Sequence, residues 1–155
     1  MRVEYAEIEE IKAWMTLIEK VKCSFPGLET KEAFIEYQQT VITFMKRQEA
    51  LCVKKEGHII GALLFSRTEG ELCFLAVDPK QRRKGVGEAL VYAMIRCMGE
   101  EQSISVSTYR QDDPQGISAR AFYKRLGFEE GELKEEYGSP IQRFVLPSRK
   151  QSSAI

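Results

Sequence analysis

The stretch from Lys80 to Gly87, KQRRKGVG, combines the residue types that bind a phosphate group. Lysine and arginine side chains make charge-assisted contacts to anions, and glycines let backbone amides approach a ligand closely. An apolar helical pattern begins at once, at Val86. Because the N-terminus of a helix presents unpaired N–H groups and partial positive charge, the stretch predicts a site for a phosphorylated ligand.

Two common phosphate motifs do not fit this stretch. A P-loop requires G-x-x-x-x-G-K-[ST], which the sequence lacks. A dinucleotide fingerprint requires a small residue three positions after Gly87, where Leu90 stands, and it lies closer to its strand. A basic run before a helix is also common in solvated loops, and Gly-Val-Gly alone can be a plain turn. The stretch by itself therefore leaves a phosphate site and an ordinary turn open.

A longer pattern resembles the GNAT N-acetyltransferase superfamily. VDPKQRRKGVG, residues 77–87, is similar to its acyl-CoA-binding segment, R/Q-x-x-G-x-G/A after a strand that ends in V-x-P. ARAFYKRLGF, residues 119–128, resembles its second signature, a helix that ends in Tyr-x-x-x-Gly-Phe. Two signatures in the right order and separation are more specific than either alone. The resemblance covers residues 49–147.

The resemblance implies an acetyl-CoA-dependent N-acetyltransferase, in which an amine attacks the thioester directly within a ternary complex. The pyrophosphate would lie on the glycine turn. The pantetheine arm would pair with the strand ELCFLAVD where the neighbouring strand SISVSTYR parts from it, and an amide near Leu75 would polarise the thioester carbonyl. No metal is expected. The cofactor-binding residues implied are Leu75, Ala76, Val77, Arg82, Arg83, Lys84, Gly85, Val86, Gly87 and Glu88.

The resemblance also implies two catalytic residues, Tyr123 and Glu71. Tyr123 occupies the family's general-acid position, and a phenol of pKa ~10 can protonate a thiolate of pKa ~8.5 when it is hydrogen-bonded to the sulfur. An alkylamine of pKa ~10 has to lose a proton before it attacks, so a base is needed. Glu71 stands where some members carry a catalytic glutamate. A core tyrosine and a solvated hairpin residue are the structural alternatives.

One position departs from the family pattern. Many relatives carry Asn seven residues before the tyrosine, where it contacts the pantetheine arm, and here the residue is Gly116. The contact is then absent or made by another residue, such as Ser118, which leaves the pose of the cofactor open. The only histidine, His58, falls at a predicted hairpin turn, so the sequence does not favour a Ser–His or Cys–His dyad.

Hydrophobic periodicity and turn residues predict one domain, residues 1–147, and a frayed tail, residues 148–155. The order βααβββαβαββ predicts a mixed α/β sheet of the GNAT-like acyltransferase fold, with parallel pairing wherever a helix crosses over. Ile8 is expected on the buried face of the first helix. The predicted elements are a strand at 2–5, helices at 7–22 and 31–48 with Thr30 as N-cap, a hairpin turning at Glu56-Gly57, a strand buried on both faces at 71–78, a helix at 86–98, a strand at 103–110, a helix closed by Gly127 and two final strands.

Composition narrows the class of protein. The 155 residues are 43% hydrophobic and 30% charged, which is typical of a soluble domain with a single core. Lys plus Arg and Asp plus Glu number 23 each, which argues against a nucleic-acid partner. No apolar run reaches membrane-spanning length, and the N-terminus lacks a signal-peptide core. The four cysteines lie far apart in apolar surroundings, which predicts buried free thiols in a cytoplasmic protein.

The expected partner is a small-molecule or protein amine acceptor, with no nucleic acid and no membrane. Monomer and homodimer both stay open. The acceptor would lie between the N-terminal helix pair and the last hairpin around residues 137–141, where the acidic stretch EEGELKEEYG could attract a cationic amine. A non-catalytic acyl-CoA-binding or regulatory module of the same fold is the alternative, as is an interaction domain that binds no acyl-CoA. Retention of Tyr123 favours the enzyme.

Overall fold

A computed structural model describes residues 1–25, 27–136 and 138–149 of the chain. The elements follow the predicted order βααβββαβαββ, and short 3₁₀ turns lie at residues 8–10, 22–24, 79–81 and 114–116. The strands and helices are β1 Val3–Tyr5, α1 Ile11–Val21, α2 Lys31–Lys46, β2 Ala50–Lys55, β3 His58–Ser66, β4 Glu71–Val77, α3 Val86–Met98, β5 Ile104–Thr108, α4 Ile117–Arg125, β6 Glu129–Glu136 and β7 Ser139–Leu146. No helix in these ranges is long and apolar enough to span a membrane.

The seven strands form one mixed sheet in the order β1-β2-β3-β4-β5-β7-β6, which confirms the predicted fold class. Only β4 and β5, which α3 connects, pair in parallel among the described strands. The prediction of parallel pairing at every crossover was wrong. β1 and β2 pair antiparallel with Tyr5 opposite Leu51, because two successive helices return the chain to the end of the sheet that it left. At the other crossover, β7 lies between β5 and β6.

Two apolar clusters cover the two faces of the sheet. One lies under α3 and α4 and contains Phe65, Leu90 and Phe144, and the other lies under α1 and α2 and contains Trp14 and Leu64. The predicted helix register holds for α1 except at its start. Ile8 is 43% exposed because residues 8–10 form a 3₁₀ turn ahead of the helix. Thr30 caps α2 as predicted, accepting a hydrogen bond from the Ala33 amide at 3.0 Å.

A glycine in β3 determines how closely α3 approaches the sheet. A Cβ at Gly61 would lie 2.4 Å from Val86 Cγ1 and 2.9 Å from Leu90 Cδ1. Contacts that short do not occur, so α3 reaches its position only because residue 61 has no side chain. The first turn of α3 therefore lies against the sheet, close to the C-terminal end of β4.

The chain after β7 is hydrogen-bonded to the loop between α3 and β5. Ser148 Oγ and the Arg149 amide both donate to the Glu100 carbonyl, at 2.9 Å and 3.0 Å. Arg149 also donates to the Gln102 carbonyl at 3.0 Å. The rest of the predicted frayed tail, residues 150–155, lies outside the described residues.

Candidate active site

A gap opens between β4 and β5 in the middle of the sheet. The two strands pair only at Glu71↔Ser105 and Leu72↔Val106, near the start of each strand. Beyond Leu72, β4 remains paired with β3 as far as Val77, whereas β5 remains paired with β7 as far as Thr108. The two parallel strands therefore part toward their C-terminal ends, as the resemblance implies.

Backbone hydrogen-bonding groups of β4 face this gap. The Asp78 amide donates to the Ile60 carbonyl of β3 at 2.8 Å, and antiparallel pairing alternates along a strand. Ala76 therefore turns its N–H and C=O groups toward β3, whereas Leu75 and Val77 turn theirs toward the gap. Pairing with β5 has already ended there, so these groups have no strand partner. Unpaired backbone groups at such an edge are available to an extended, amide-containing ligand.

A β-bulge marks the point where the strands part. Phe74 pairs with Leu64 and Leu72 with Phe65, which leaves Cys73 as an extra residue on β4. Cys73 is exposed, so the prediction that ELCFLAVD is buried on both faces was wrong at this residue. Cys23 is exposed as well, in the 3₁₀ turn after α1, and only Cys52 is fully buried.

The Cys73 thiol has the properties of an unreactive group. Partial burial, and then the negative charges of nearby glutamates, raise the pKa of this thiol to about 12. A thiol with such a pKa carries almost no thiolate at neutral pH, and the thiolate is the nucleophile. Its only hydrogen bond within the described chain is a long one to the Glu71 carbonyl, at 3.8 Å.

The basic turn lies at the C-terminal end of β4, directly before α3. Arg82, Arg83, Lys84 and Gly85 are all exposed. Arg83 and Gly85 have left-handed backbones, with φ angles of 63° and 83°. No side chain caps α3 at Gly85, so the first amides of the helix are free to bind an anion. A Cβ at Gly85 would meet nothing within 4 Å, so the space above this residue is open.

Asp78 fastens the base of the turn. Its carboxylate accepts hydrogen bonds from the Lys80 amide at 3.0 Å and from Lys20 Nζ of α1 at 3.1 Å. The Lys80 amide and then Lys20 lower the pKa of this carboxyl below its usual range. Asp78 therefore joins the end of β4 to α1.

Gly87 packs α3 against α4. A Cβ at Gly87 would lie 3.3 Å from Phe122 Cζ and 3.7 Å from Val77 Cγ2. The start of α3, directly after the basic turn, therefore contacts α4, the helix that carries Tyr123, through the Phe122 ring. This contact brings the two sequence signatures together in space.

Tyr123 lies on α4 with 7% of its surface exposed. Its ring packs edge-on against Phe122 and Phe128, with centroids 5.2 Å and 5.5 Å apart. Burial raises the pKa of the phenol above its ordinary value, so Tyr123 keeps its proton throughout the neutral range. No hydrogen bond joins its hydroxyl to another described residue. The site therefore contains a protonated phenol, and a protonated phenol can donate to a thiolate.

The end of α4 is fixed by a Schellman motif. The Phe128 amide donates to the Tyr123 carbonyl at 3.0 Å, and the Gly127 amide donates to Lys124 at 3.0 Å. Gly127 has a φ of 99°, which confirms it as the residue that closes the helix. Tyr123 thus belongs to the last fixed turn of α4.

Glu71 lies at the paired end of β4, on the face opposite α3 and α4. Its neighbour Leu72 is part of the core under α3, and side chains alternate along a strand. Burial is the largest cause that raises the pKa of the Glu71 carboxyl, followed by the negative charge of Glu136. Arg143 opposes this shift. A carboxyl with a raised pKa is suited to accept a proton from an ammonium group.

Aromatic rings line the α1–α2 side of β4 on the same face as Glu71. Phe74 lies between Phe25 and Tyr37, with ring centroids 4.6 Å and 5.1 Å away. Trp14 Nε1 donates to the Tyr37 hydroxyl at 3.0 Å and fixes that ring. At the paired end of β4 and β5, an open cavity of ≈ 360 Å³ includes Gly70, Ser105 and Arg143 in its lining. Aromatic rings therefore lie beside β4 on this face, and polar strand residues line a cavity next to Glu71, where the two strands still pair.

A larger open groove of ≈ 560 Å³ lies between α1 and α2. Its lining includes Ile11, Met15 and Phe34 but no residue of β4, β5 or the basic turn. Size alone therefore does not identify the reactive region, and the gap with its facing groups is the better candidate.

Three further predicted positions can now be located. Gly116 is buried, and a Cβ there would lie 2.2 Å from Tyr109 Cβ, so the ring that follows β5 fills the space of any side chain at 116. Ser118, the suggested substitute, is exposed on the first turn of α4. His58 is exposed at the start of β3. Within the ranges that the structure describes, no three His, Cys, Asp or Glu side chains converge on a metal position.

The fold is that of an acetyltransferase domain, and comparisons with known proteins support this class. The profile of the acetyltransferase (GNAT) family matches residues 14–128, and the chain belongs to this family. No curated protein sequence matches the chain.

Solved structures with the same fold include several acetyltransferases. The ribosomal-protein-S18-alanine N-acetyltransferase of Escherichia coli has a TM-score of 0.75 at 17% identity, covering 99% of this chain and 97% of that one. A GNAT-family acetyltransferase of Bacillus cereus has a TM-score of 0.73 at 18% identity, covering 96% and 98%. The PaiA N-acetyltransferase of Thermoplasma acidophilum, solved with coenzyme A, has a TM-score of 0.68 at 15% identity, covering 92% and 96%. At these identities the likeness shows the fold alone.

Sequence reasoning missed the residues that join the parts of the site. Phe122 links α4 to Gly87, and Lys20 links α1 to Asp78. Asp followed by Pro is a common start of a helical turn, so the capping role of Asp78 had a readable signal. Nothing in the sequence indicates its bond to Lys20, because that partner lies in a distant segment.

Proposed function

We propose that this chain is an acetyl-CoA-dependent N-acetyltransferase that acts on an amine by direct attack in a ternary complex. The observation that carries the proposal is the gap between β4 and β5, with the free backbone groups of Leu75 and Val77 beside it. The protonated phenol of Tyr123 lies on α4, which touches the turn at the mouth of this gap through Phe122. A single unit over residues 1–147 is sufficient for this site.

The residues present fit acetyl-CoA. The pyrophosphate would bind the turn from Arg82 to Glu88, where free helix amides, left-handed residues and open space above Gly85 coincide. The pantetheine arm would bind the backbone of Leu75 and Val77, with Ala76 between them turned toward β3. Arg82, Arg83 and Lys84 add positive charge at the rim.

Two residues of the chain, Glu71 on the α1–α2 face of the sheet and Tyr123 on α4, carry out the proton transfers. Acetyl-CoA, when bound, would supply the thioester: a bond forms between the amine nitrogen and the carbonyl carbon, the C–S bond breaks, and CoA departs as its thiolate. Glu71, directly or through water, accepts a proton from the incoming ammonium group, which leaves a neutral amine. Tyr123 donates its phenolic proton to the departing thiolate and recovers one from the new amide nitrogen. The balance is one amide and one thiol formed, with one proton released to solvent.

The acceptor is expected on the α1–α2 face of the gap, where Glu71 lies. Glu71 and Glu136 place two carboxyl groups on this face, opposed in part by Arg143, and Ser107 Oγ donates to the Glu136 carboxylate at 2.9 Å. Phe74 and its neighbouring rings offer apolar surface beside it. A cationic amine, free or on a protein, suits these surroundings. Free thiols at all four cysteines agree with a reducing compartment such as the cytoplasm.

An acceptor screen tests the proposal. The protein is mixed with acetyl-CoA and a panel of polyamines, amino acids, aminoglycosides and basic peptides, and CoA release is followed with a thiol reagent. Amine-dependent CoA release that yields an N-acetylated product supports the proposal. Binding of acetyl-CoA with no release for any amine would favour the non-catalytic module instead. Failure to bind acetyl-CoA would contradict both hypotheses.

A further inference from the structure

A buried arginine ties α4 to three other segments. Arg120 is 6% exposed, although arginine is rarely buried without partners. Its Nη1 donates to the Tyr109 carbonyl and to Gln142 Oε1, each at 2.7 Å. Its Nη2 donates to Glu130 Oε1 at 2.8 Å. One guanidinium therefore holds the segment after β5, strand β7 and strand β6.

The network continues beyond the arginine. Gln142 Nε2 donates to the Gly131 carbonyl at 3.0 Å, so the amide of Gln142 is used at both ends. The guanidinium also lies over the Phe144 ring, 4.9 Å from its centroid. The planar guanidinium of arginine has several N–H donors and can make all of these contacts at once. The single ammonium group of a lysine could not make them all.

The position of α4 determines where the Tyr123 hydroxyl lies. Arg120 and Tyr123 are one turn apart on the inner face of this helix. The hydroxyl has no hydrogen bond within the described chain that could orient it. The position of the hydroxyl is therefore determined by the packing of the Tyr123 ring and by the placement of α4. The Schellman motif at Phe128 fixes the helix after Tyr123, and Arg120 fixes it before Tyr123.

The same bonds hold the free half of β5. Beyond Val106, β5 has lost β4 as a neighbour and is paired only with β7. The Tyr109 carbonyl, just past the end of β5, accepts from Arg120. Arg120 therefore fixes α4 and the far wall of the gap relative to each other.

We propose that Arg120 is a positioning residue for acetyl transfer. It fixes α4 relative to the β5 wall of the gap, and with that helix the Tyr123 phenol that donates a proton to the thiolate. This inference rests on the proposed function. It goes beyond that function because Arg120 touches neither substrate and acts through Tyr123.

The test is a double-mutant cycle read by single-turnover acetyl transfer, with the best amine from the screen. Arg120→Lys keeps the charge and removes the fork. It should slow the chemical step by about 10- to 100-fold, the cost of a small misplacement of a catalytic group. Acetyl-CoA affinity should stay within about twofold, since the phosphate turn is on another element. In the Tyr123→Phe background, Arg120→Lys should cost less than about twofold, because its target is gone.

A matched control separates positioning from general stability. Lys124 is on the same helix and pairs with the same carboxylate, Glu130, at 2.5 Å, but from the exposed side. Lys124→Met should leave the single-turnover rate unchanged. Should Arg120→Lys fail to fold, Glu130→Gln removes one acceptor of Arg120 from the exposed rim. Its rate is then compared with that of Lys124→Met, and a loss of about two- to fivefold beyond the control is expected.

Three results would overturn the inference while the proposed function stands, and a fourth would overturn both. A folded Arg120→Lys protein with the parent's single-turnover rate contradicts it while the proposed function stands. Equal losses from Arg120→Lys in the parent and in the Tyr123→Phe background mean that Arg120 does not act through the phenol. A Glu130→Gln rate equal to that of Lys124→Met contradicts it in the second design. If the parent transfers acetyl to no amine, the proposed function fails and this inference fails with it.

Discussion

The turn before α3 and the last turn of α4 both contain glycine and both carry a recognisable sequence signature, yet they are built in opposite ways. Residues 82–85 are exposed, and their backbone geometry is their main feature. Tyr123 and Phe128 are buried and held by rings and a Schellman motif. In the proposed function, this contrast means that cofactor binding depends on backbone shape, whereas proton donation depends on packing.

The two glycines of the basic turn repeat this contrast within three residues. Gly85 has a left-handed backbone and open space around its Cα, so conformation requires glycine there. Gly87 is the first-turn residue against Phe122, where a Cβ would make a tight contact of 3.3 Å with the Phe122 ring, so close packing favours glycine there. In the proposed function, Gly85 belongs to the part of the site that binds acetyl-CoA, and Gly87 lies where this part meets α4.

The largest effect is expected from Tyr123→Phe. This change keeps the ring packing and removes only the hydroxyl. The chemical step should slow by about 10²- to 10⁴-fold, the usual range for a positioned proton donor. Acetyl-CoA affinity and thermal stability should change little. Single-turnover kinetics separate chemistry from product release, and a parent-like rate would make Tyr123 a packing residue.

Glu71→Gln is expected to come next, with a loss of about 10²-fold at neutral pH. The carboxyl has to be ionised to accept a proton, so activity falls as pH drops through its pKa. Burial raises that pKa above its ordinary value, which moves the acidic limb of kcat/KM upward. The variant should lose this limb without losing stability, because the fold disfavours the charged form. An unchanged pH profile would show that another group is the base.

Gly87→Val should weaken acetyl-CoA binding at the basic turn and, at the same time, slow the chemical step that uses Tyr123. The added side chain crowds the Phe122 ring, so that either this ring or the contact between α3 and α4 has to shift. We expect acetyl-CoA affinity to fall by about tenfold, and turnover of the bound enzyme to fall as well, through Tyr123. Gly85→Ala is the comparison, because it strains only the left-handed backbone, at roughly 1 kcal/mol. It should weaken binding and spare single-turnover chemistry. If calorimetry finds that folded Gly87→Val binds acetyl-CoA with the parent's affinity, the basic turn and α4 are not coupled through Gly87.

Asp78→Ala should destabilise the basic turn before α3 and leave the placement of Tyr123 on α4 unchanged. The loss of a capping side chain costs about 1 kcal/mol, and acetyl-CoA affinity should fall a few-fold. Because the folded pKa of Asp78 is lowered, its contribution is present above the unfolded pKa near 3.8 and fades as pH falls through the folded value. The stability difference from the parent should therefore vanish in acid. Denaturant midpoints across pH measure this, with exposed Asp112→Ala as control.

The smallest effect is expected from Cys73→Ala. This thiol lies at the bulge beside the gap, but its raised pKa keeps it protonated. Turnover per folded molecule should stay within about twofold of the parent, because direct transfer needs no thiolate. Complete inactivity of the folded variant would argue for a covalent route.

Much of the fold could be predicted because its signals are local. Helix α3 begins and ends at the predicted residues, Thr30 caps α2, and Gly127 closes α4. The insertion of β7 between β5 and β6 could not be predicted, because strand order depends on contacts between distant segments.

The candidate site could be read from the sequence where a short motif carries it, and not where separate elements meet. The basic turn and Tyr123 are visible in the sequence as motifs. Arg120 reads as one more charge on a polar helix, and its burial depends on Tyr109, Gln142 and Glu130. Cys73 reads as part of an apolar strand, whereas the bulge that exposes it depends on its pairing with β3.

The most direct test of the account is residue-resolved amide hydrogen exchange along β4 with and without acetyl-CoA. Leu75 and Val77 direct their amides into the gap, whereas Ala76 directs its amide to β3. Saturating acetyl-CoA should slow exchange at Leu75 and Val77 by at least about tenfold and leave Ala76 nearly unchanged. Unaltered exchange at Leu75 and Val77 under saturation would contradict the placement of the cofactor in the gap.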